Sequence, residues 1–228
     1  MNFKSICAIT AVTLVSFAGG ANADIVATGL VTADNHYALY TGDPSSVTLV
    51  QRNELGASGA PGTYNWSRPE SVSFTAGSFI YIAAWSDNAI AQGLLAQISL
   101  SNGDTANSGD ARWQVYRSNQ DLGDGAAAPS NAQVVGWIGF ATTNNLWETP
   151  YVGGANGISP WGTVPGIGST ARWMWTQIPG DGDPLSGGSG YGETLLFRMA
   201  IPTPGAMSLL AMGGLLAMRR RRAASSKA

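Results

Sequence analysis

The chain has 228 residues, and charged side chains make up only 11% of it, whereas glycine occurs 30 times. Between residues 24 and 200 there are six arginines, no lysine and all fourteen acidic residues, which gives a net charge of −8. Binding to nucleic acid needs clustered lysine and arginine, so this composition excludes nucleic acid as a partner. Cys7 is the only cysteine, which excludes disulfide bonds within the chain and cysteine-ligated metals.

Residues 1–23 have the three parts of a secretory signal peptide. Lys4 supplies the positive charge, residues 6–17 form the apolar segment, and Ala21 and Ala23 frame an Ala-x-Ala cleavage site. We therefore expect export and cleavage by signal peptidase. The stretch from residue 24 to residue 200 then has the length of one domain.

Short apolar runs separated by glycine, asparagine, serine and aspartate predict an all-β fold for residues 24–200. The run Phe79–Trp85 is almost continuously apolar, which indicates a strand buried on both faces. The four tryptophans that lie within strand-like runs are expected in the core. The predicted strands are Ile25–Thr32, His36–Thr41, Val47–Arg52, Ser71–Thr75, Phe79–Trp85, Gly93–Leu100, Trp113–Tyr116, Ala171–Trp175 and Glu193–Ala200.

Two segments do not read as simple strands. For residues 130–140 helix and strand both stay open, because Ser130 or Asn131 could cap a short helix whereas Gly136 and Gly139 oppose one. Residues 144–169 are rich in glycine and proline and are expected to be irregular.

Several short motifs resemble the galactose-binding-like β-sandwich. They are the run Asp34–Tyr40, the Val-x-Phe-x-x-Gly pattern of residues 72–77, the Gly-Leu-Leu-Ala of residues 93–96 and the Ala-x-Trp-x-Trp of residues 171–175. The resemblance implies a single jelly-roll-like β-sandwich over residues 24–200. Such folds host sugar binders, adhesion modules and accessory domains, so the fold alone does not give the function.

The sequence holds no recognisable catalytic set. His36 is the only histidine, it adjoins a predicted strand, and we expect it at the surface or at a sheet edge rather than in catalysis. The acidic turns Asp121-x-x-Asp124 and Asp181-x-Asp183 could supply oxygen ligands to calcium, although ordinary turn chemistry explains them as well. We therefore predict no enzymatic activity, no catalytic residue, no cofactor and no dedicated metal site.

Trp147, Tyr151 and Trp161 lie in the long segment together with three asparagines, Asn144, Asn145 and Asn156. Aromatic rings beside amides are typical of a sugar-binding face, since rings stack on apolar C–H surface and amides bond to hydroxyls. The alternative is that these rings hold the long segment against the sandwich.

The last 28 residues, 201–228, have a layout of their own. Pro202-Thr203-Pro204-Gly205 precedes an uncharged segment, Ala206–Met218, and a cluster of four arginines ends it: Arg219, Arg220, Arg221 and Arg222. The apolar segment is about as short as a membrane-spanning helix can be. The arginines are expected to stay on the cytoplasmic side.

This layout resembles the PEP-CTERM sorting signal, with Pro-Thr-Pro in place of the usual Pro-Glu-Pro. The resemblance implies that a membrane-embedded exosortase recognises Pro202, Pro204 and Gly205 while the tail is transiently inserted in the inner membrane. The alternative is a lasting tail anchor. Together these features predict a non-enzymatic cell-surface or extracellular-matrix protein with a structural or adhesive role. A carbohydrate-binding module that recognises exopolysaccharide is the alternative function.

Overall fold

A computed structural model describes residues 24–53, 66–86, 91–180, 182–186 and 193–202. These residues form ten strands, one α-helix and one short 3-10 helix at Pro184–Ser186. The elements are β1 (Ile25–Asp34), β2 (His36–Asp43), β3 (Ser46–Arg52), β4 (Glu70–Ala76), β5 (Phe79–Trp85), β6 (Gly93–Leu100), β7 (Gln114–Arg117), α1 (Asn131–Thr143), β8 (Tyr151–Ala155), β9 (Arg172–Trp175) and β10 (Leu195–Ala200).

The strands form two five-stranded sheets whose described pairs are all antiparallel. Sheet 1 has the order β4-β1-β6-β9-β8, and sheet 2 has the order β3-β2-β5-β10-β7. Side chains from both sheets meet in one buried apolar cluster, as in packed β-sheets. The expected all-β class is therefore confirmed in its coarse form, as two antiparallel sheets around a shared core. Each predicted strand is present, and no predicted end differs from the observed one by more than two residues.

The inner strands β2 and β5 of sheet 2 are largely buried on both faces, because α1 covers the face that points away from sheet 1. Along β5, Ile80 and Ile82 belong to the cluster shared by the sheets, whereas Tyr81 and Ala83 pack with the helix. The prediction that this strand is buried on both faces is confirmed. The core position of the strand tryptophans is also confirmed, for Trp85, Trp113, Trp173 and Trp175.

The ambiguous segment at residues 130–140 is a helix. Ser130 caps it, with its side chain accepting a hydrogen bond from the backbone N–H of Gln133 at 3.2 Å. Gly136 and Gly139 lie on the exposed side, where they cost helix propensity but disturb no packing. The helix persists because its opposite side buries apolar residues at helical spacing: Val134, Trp137, Ile138 and Ala141.

The expectation that residues 144–169 are irregular is wrong over five positions. The run Tyr-Val-Gly-Gly-Ala forms β8, which pairs with β9 through Tyr151 opposite Trp175 and Val152 opposite Met174. Two adjacent glycines have low strand propensity, so pairing with β9 rather than local preference specifies this strand. Gly153 also accommodates Leu185, because a β-carbon there would lie 2.0 Å from its Cδ1 atom.

The two ends of the folded region meet at one pole of the molecule. Ile25 lies opposite Ala76 and Ala200 lies opposite Phe79, so the turn between β4 and β5 contacts the strand that begins the fold and the one that ends it. The backbone N–H of Ile201 donates to the Ser78 carbonyl at 2.9 Å, and its side chain is buried.

The predicted signal peptide and the sorting tail after Pro202 lie outside the described residues. Within the part of the chain that the structure describes, no helix has the length and apolar character needed to cross a membrane.

Candidate functional site

Trp161 belongs to the core. Its side chain is 3% exposed, its ring stacks on Trp173 with centroids 4.0 Å apart, and its Nε1–H donates to Asp34 Oδ2 at 2.7 Å. A ring enclosed in this way offers no face to a sugar. At this position the structure matches the alternative in which an aromatic residue holds the long segment in place.

Tyr151 is the first residue of β8 and packs, partly buried, against the cluster shared by the two sheets. Burial and the nearby Asp183 carboxylate raise the pKa of its phenol above the ordinary value. Trp147 instead packs against the helix-side cluster of sheet 2. The structure therefore does not bring Trp147, Tyr151 and Trp161 into one binding face, because they attach to different layers.

Trp147 is held in place by contacts on several sides. The Arg198 guanidinium lies 3.7 Å from the centre of its ring, and the indole Nε1–H donates to Thr142 Oγ1 at 3.1 Å. The Tyr116 ring approaches edge-on, with centroids 6.0 Å apart. Arg198 is fixed in turn, since its Nε donates to Gln114 Oε1 at 2.9 Å. Trp147 is thus a rigid and only partly buried ring at the end of α1.

Two exposed apolar side chains extend this surface. Phe140, near the end of α1, is 56% exposed and lies 6.4 Å from Tyr116 between ring centroids. Leu146 is 38% exposed and immediately precedes Trp147. A shallow pocket of about 80 Å³ opens beside them, lined by Tyr116, Arg117, Asn119, Leu146 and Glu148. We call this surface the corner. Its apolar residues are Tyr116, Phe140, Leu146 and Trp147, and its polar pocket residues are Arg117, Asn119 and Glu148.

The polar side of the corner is built on the edge of sheet 2. Glu148 exchanges two backbone hydrogen bonds with Val115 of β7, at 2.8 and 2.9 Å, so its position is fixed. Its carboxylate lies 3.6 Å from the Arg117 guanidinium. Glu193 is close to both. Burial raises the pKa of Glu193, and the negative charge of Glu148 raises it further, whereas the positive charge of Arg117 lowers it. One guanidinium therefore faces two carboxyl groups.

His36 is not a surface residue. It is fully buried at the start of β2, its ring stacks on Trp85 with centroids 5.2 Å apart, and its Nε2 lies 2.6 Å from Asp124 Oδ1. The expectation of an exposed or plain edge position is wrong, because β2 is an inner strand of sheet 2 and the loop after β7 reaches across it. Asp124 itself is 68% exposed.

The candidate calcium turns are engaged in local hydrogen bonds. Asp121 Oδ1 accepts from the Gly123 N–H at 2.7 Å, and Asp183 Oδ1 accepts from the Leu185 N–H at 2.9 Å. These are the bonds that favour aspartate in turns. Asp181 lies outside the described residues. Among the residues that the structure describes, no group of three or more acidic, histidine or cysteine side chains is placed to hold a metal ion.

Sequence reasoning found Trp147 but missed the other members of the corner. Phe140 lies three residues after Trp137 and would have been placed near it once residues 130–140 were read as a helix. Arg117, Asn119 and Glu148 carried no local signal, because β7 and residue 148 meet only through tertiary pairing. No family model, curated protein or solved structure matches this chain.

Proposed function

We propose that this chain is an exported, non-enzymatic protein of the cell surface or extracellular matrix, sorted through its C-terminal residues. The observation that carries this proposal is the position of Ile201. Among the described residues it is the last one buried in the core, and the Pro-Thr-Pro-Gly motif begins at the next position. Cleavage within residues 202–205 would therefore leave every described strand intact.

The position of the fold's beginning supports the same proposal. Residues 25 and 200 both lie at the turn between β4 and β5, so signal peptidase and an exosortase would act on segments that leave the same pole. The rest of the domain would extend away from the membrane during transient insertion of the tail. The acidic, lysine-free surface suits release from an anionic membrane.

We further infer a galactose-binding-like jelly roll. The motifs that suggested it fall within strands: residues 72–76 in β4, residues 93–96 in β6 and residues 172–175 in β9. A non-enzymatic role is supported by the burial of His36, the one histidine of the sequence, whose side chain is fully enclosed and offers no atom to a substrate in solution.

The sorting proposal is tested by intact-mass spectrometry of the full chain expressed in a host that processes such signals. We expect the surface form to start at Asp24 and to end near residues 202–205. Pro202→Ala with Pro204→Ala should block processing without changing topology, and replacing the four arginines by serine should leave uncut or mislocalised precursor. A mature form that still carries residues 219–228 would mean a lasting anchor and would contradict the proposal.

A second candidate function is recognition of exopolysaccharide, and the corner favours it. Trp147 is rigid, Phe140 is open to solvent, and hydrogen-bonding groups lie beside both. Affinity electrophoresis of the full chain through gels that contain different polysaccharides tests it. If no polysaccharide retards migration, the carbohydrate-binding candidate is wrong and the structural role is the one that remains.

A further inference from the structure

The corner combines an open apolar surface with a small polar pocket, and we propose that it binds one residue of a neutral hexopyranose chain. This proposal rests on the carbohydrate-binding candidate and assigns its binding groups and its selectivity. The pyranose ring lies against Phe140 and Leu146, and its hydroxyls bond to Arg117, Asn119 and Glu148.

The apolar half of the site suits the C–H face of a sugar ring. Phe140 and Leu146 are large hydrophobic side chains exposed by 56% and 38%, and both lie next to Tyr116 or Trp147. Covering their apolar area removes it from water, which favours binding. Arg198 and Thr142 fix Trp147, so this part of the surface needs no rearrangement when the ligand arrives.

The polar half suits hydroxyl groups, which both donate and accept hydrogen bonds. Arg117 only donates, the Glu148 carboxylate only accepts, and the Asn119 amide does both. Asn119 has a φ of 54°, a left-handed conformation that asparagine tolerates and that places it at the turn after β7. The pocket of about 80 Å³ is small and open to solvent, so it suits the hydroxyl edge of one sugar residue at a time.

The charges at the site select against acidic sugars. Arg117 is shared between Glu148 and Glu193, so a uronate carboxylate would meet two acidic groups and one guanidinium that is already engaged. Like charges this close disfavour binding, and the domain as a whole is acidic as well. A neutral hexose avoids this repulsion.

The test is isothermal titration calorimetry of the full chain in mild detergent. The ligands are neutral glucan, galactan and mannan oligosaccharides, with oligogalacturonate for comparison. We expect at least one neutral oligosaccharide to bind and oligogalacturonate to bind about tenfold more weakly or not at all. Phe140→Ala should weaken binding about tenfold, as expected for truncation of an aromatic anchor. Val152→Ala, which truncates an exposed apolar side chain on sheet 1, is the matched control and should leave affinity unchanged.

Glu148→Gln tests the charge argument, because it keeps the shape of the side chain and removes its charge. It should reduce the preference for neutral over uronate ligands. Three results would overturn the assignment in distinguishable ways. Failure of the wild type to bind any oligosaccharide removes the carbohydrate candidate itself. If Phe140→Ala and Val152→Ala bind as tightly as each other, the corner is not the binding site, although the carbohydrate candidate stands. Equal or tighter binding of oligogalacturonate removes the neutral-ligand assignment.

Discussion

Two tryptophans of one glycine-rich segment, Trp147 and Trp161, end in opposite environments. Trp161 is enclosed, stacked on Trp173 and hydrogen-bonded to the Asp34 carboxylate. Trp147 is partly open, lies against the Arg198 guanidinium and contacts Tyr116, which also contacts Phe140, the most exposed large hydrophobic side chain in the described region. Both indole N–H groups are satisfied, so hydrogen bonding does not separate the two environments.

The difference comes from what each tryptophan packs against. Trp161 lies beside Gly93, where a β-carbon would come within 2.6 Å of Trp173 and 3.1 Å of Trp161, so the missing side chain leaves room for two stacked rings. Trp147 lies where α1 ends and sheet 2 has its edge strand, so solvent remains on one side. The residue type alone therefore does not tell whether a tryptophan is buried in the core or lies at the surface. The same aromatic ring stabilises the core at one place and forms a surface at the other.

The strongest test of this contrast is removal of the enclosed ring. Trp161→Ala should lower the free energy of unfolding by about 3–5 kcal/mol, the usual cost of deleting a buried tryptophan. Chemical denaturation followed by circular dichroism measures the change. A loss below about 1 kcal/mol would mean that Trp161 contributes little to the core. Trp161→Phe keeps a stacking ring but loses the hydrogen bond to Asp34. Its free energy of unfolding should therefore lie between those of the wild type and Trp161→Ala.

The space around Gly93 provides the second test. Gly93→Ala should destabilise the fold by about 1–3 kcal/mol, because the added methyl group would overlap the Trp173 ring and force the stacked pair apart. Gly136→Ala is the matched control: its site in α1 is open, and alanine should stabilise the helix by up to about 1 kcal/mol. Near-ultraviolet circular dichroism should report the displaced tryptophans in the first variant only. Equal stability of both variants would contradict the account of the stack.

At the open ring the expected effects are smaller. Arg198→Ala removes the cation that lies on Trp147 and should cost about 1 kcal/mol or less, since the pair is partly solvated. It should also loosen Trp147, which hydrogen exchange of residues 140–148 would detect as faster exchange. If residues 140–148 exchange as slowly as in the wild type, Arg198 does not position the ring.

The smallest effect concerns Glu193, a carboxyl group close to Arg117 and Glu148 of the corner. The folded state raises the pKa of Glu193, chiefly through burial, so it binds the Glu193 proton more strongly than the unfolded state. The associated stability is therefore present below the ordinary pKa of glutamate and is lost as pH rises through the raised folded value. Thermal melts of the wild type should show this decline, and Glu193→Gln should flatten it. Parallel melting curves for the two proteins would contradict this interpretation. Asp121→Asn at an exposed turn serves as control.

Much of the fold was predictable because its signals are local. Alternating or continuous apolar runs located the nine predicted strands, and turn residues marked the ends of most of them. The candidate site was less predictable. Trp147 was identified by its residue type, whereas Arg117 and Glu148 meet only because residue 148 pairs with Val115, some 33 positions away in the chain. Pairing across such a distance leaves no pattern within a short window of sequence.

The sequence by itself determined the strand pattern and the burial of β5 on both faces, since these follow from the spacing and the length of the apolar runs. Only the tertiary structure decided that His36 is buried, that the glycine-rich run at residues 151–155 is a strand, and which aromatic rings stay open. Those outcomes depend on which other segment of the chain packs against each residue. Burial is a property of a pair of surfaces, and a single chain segment specifies only one of them.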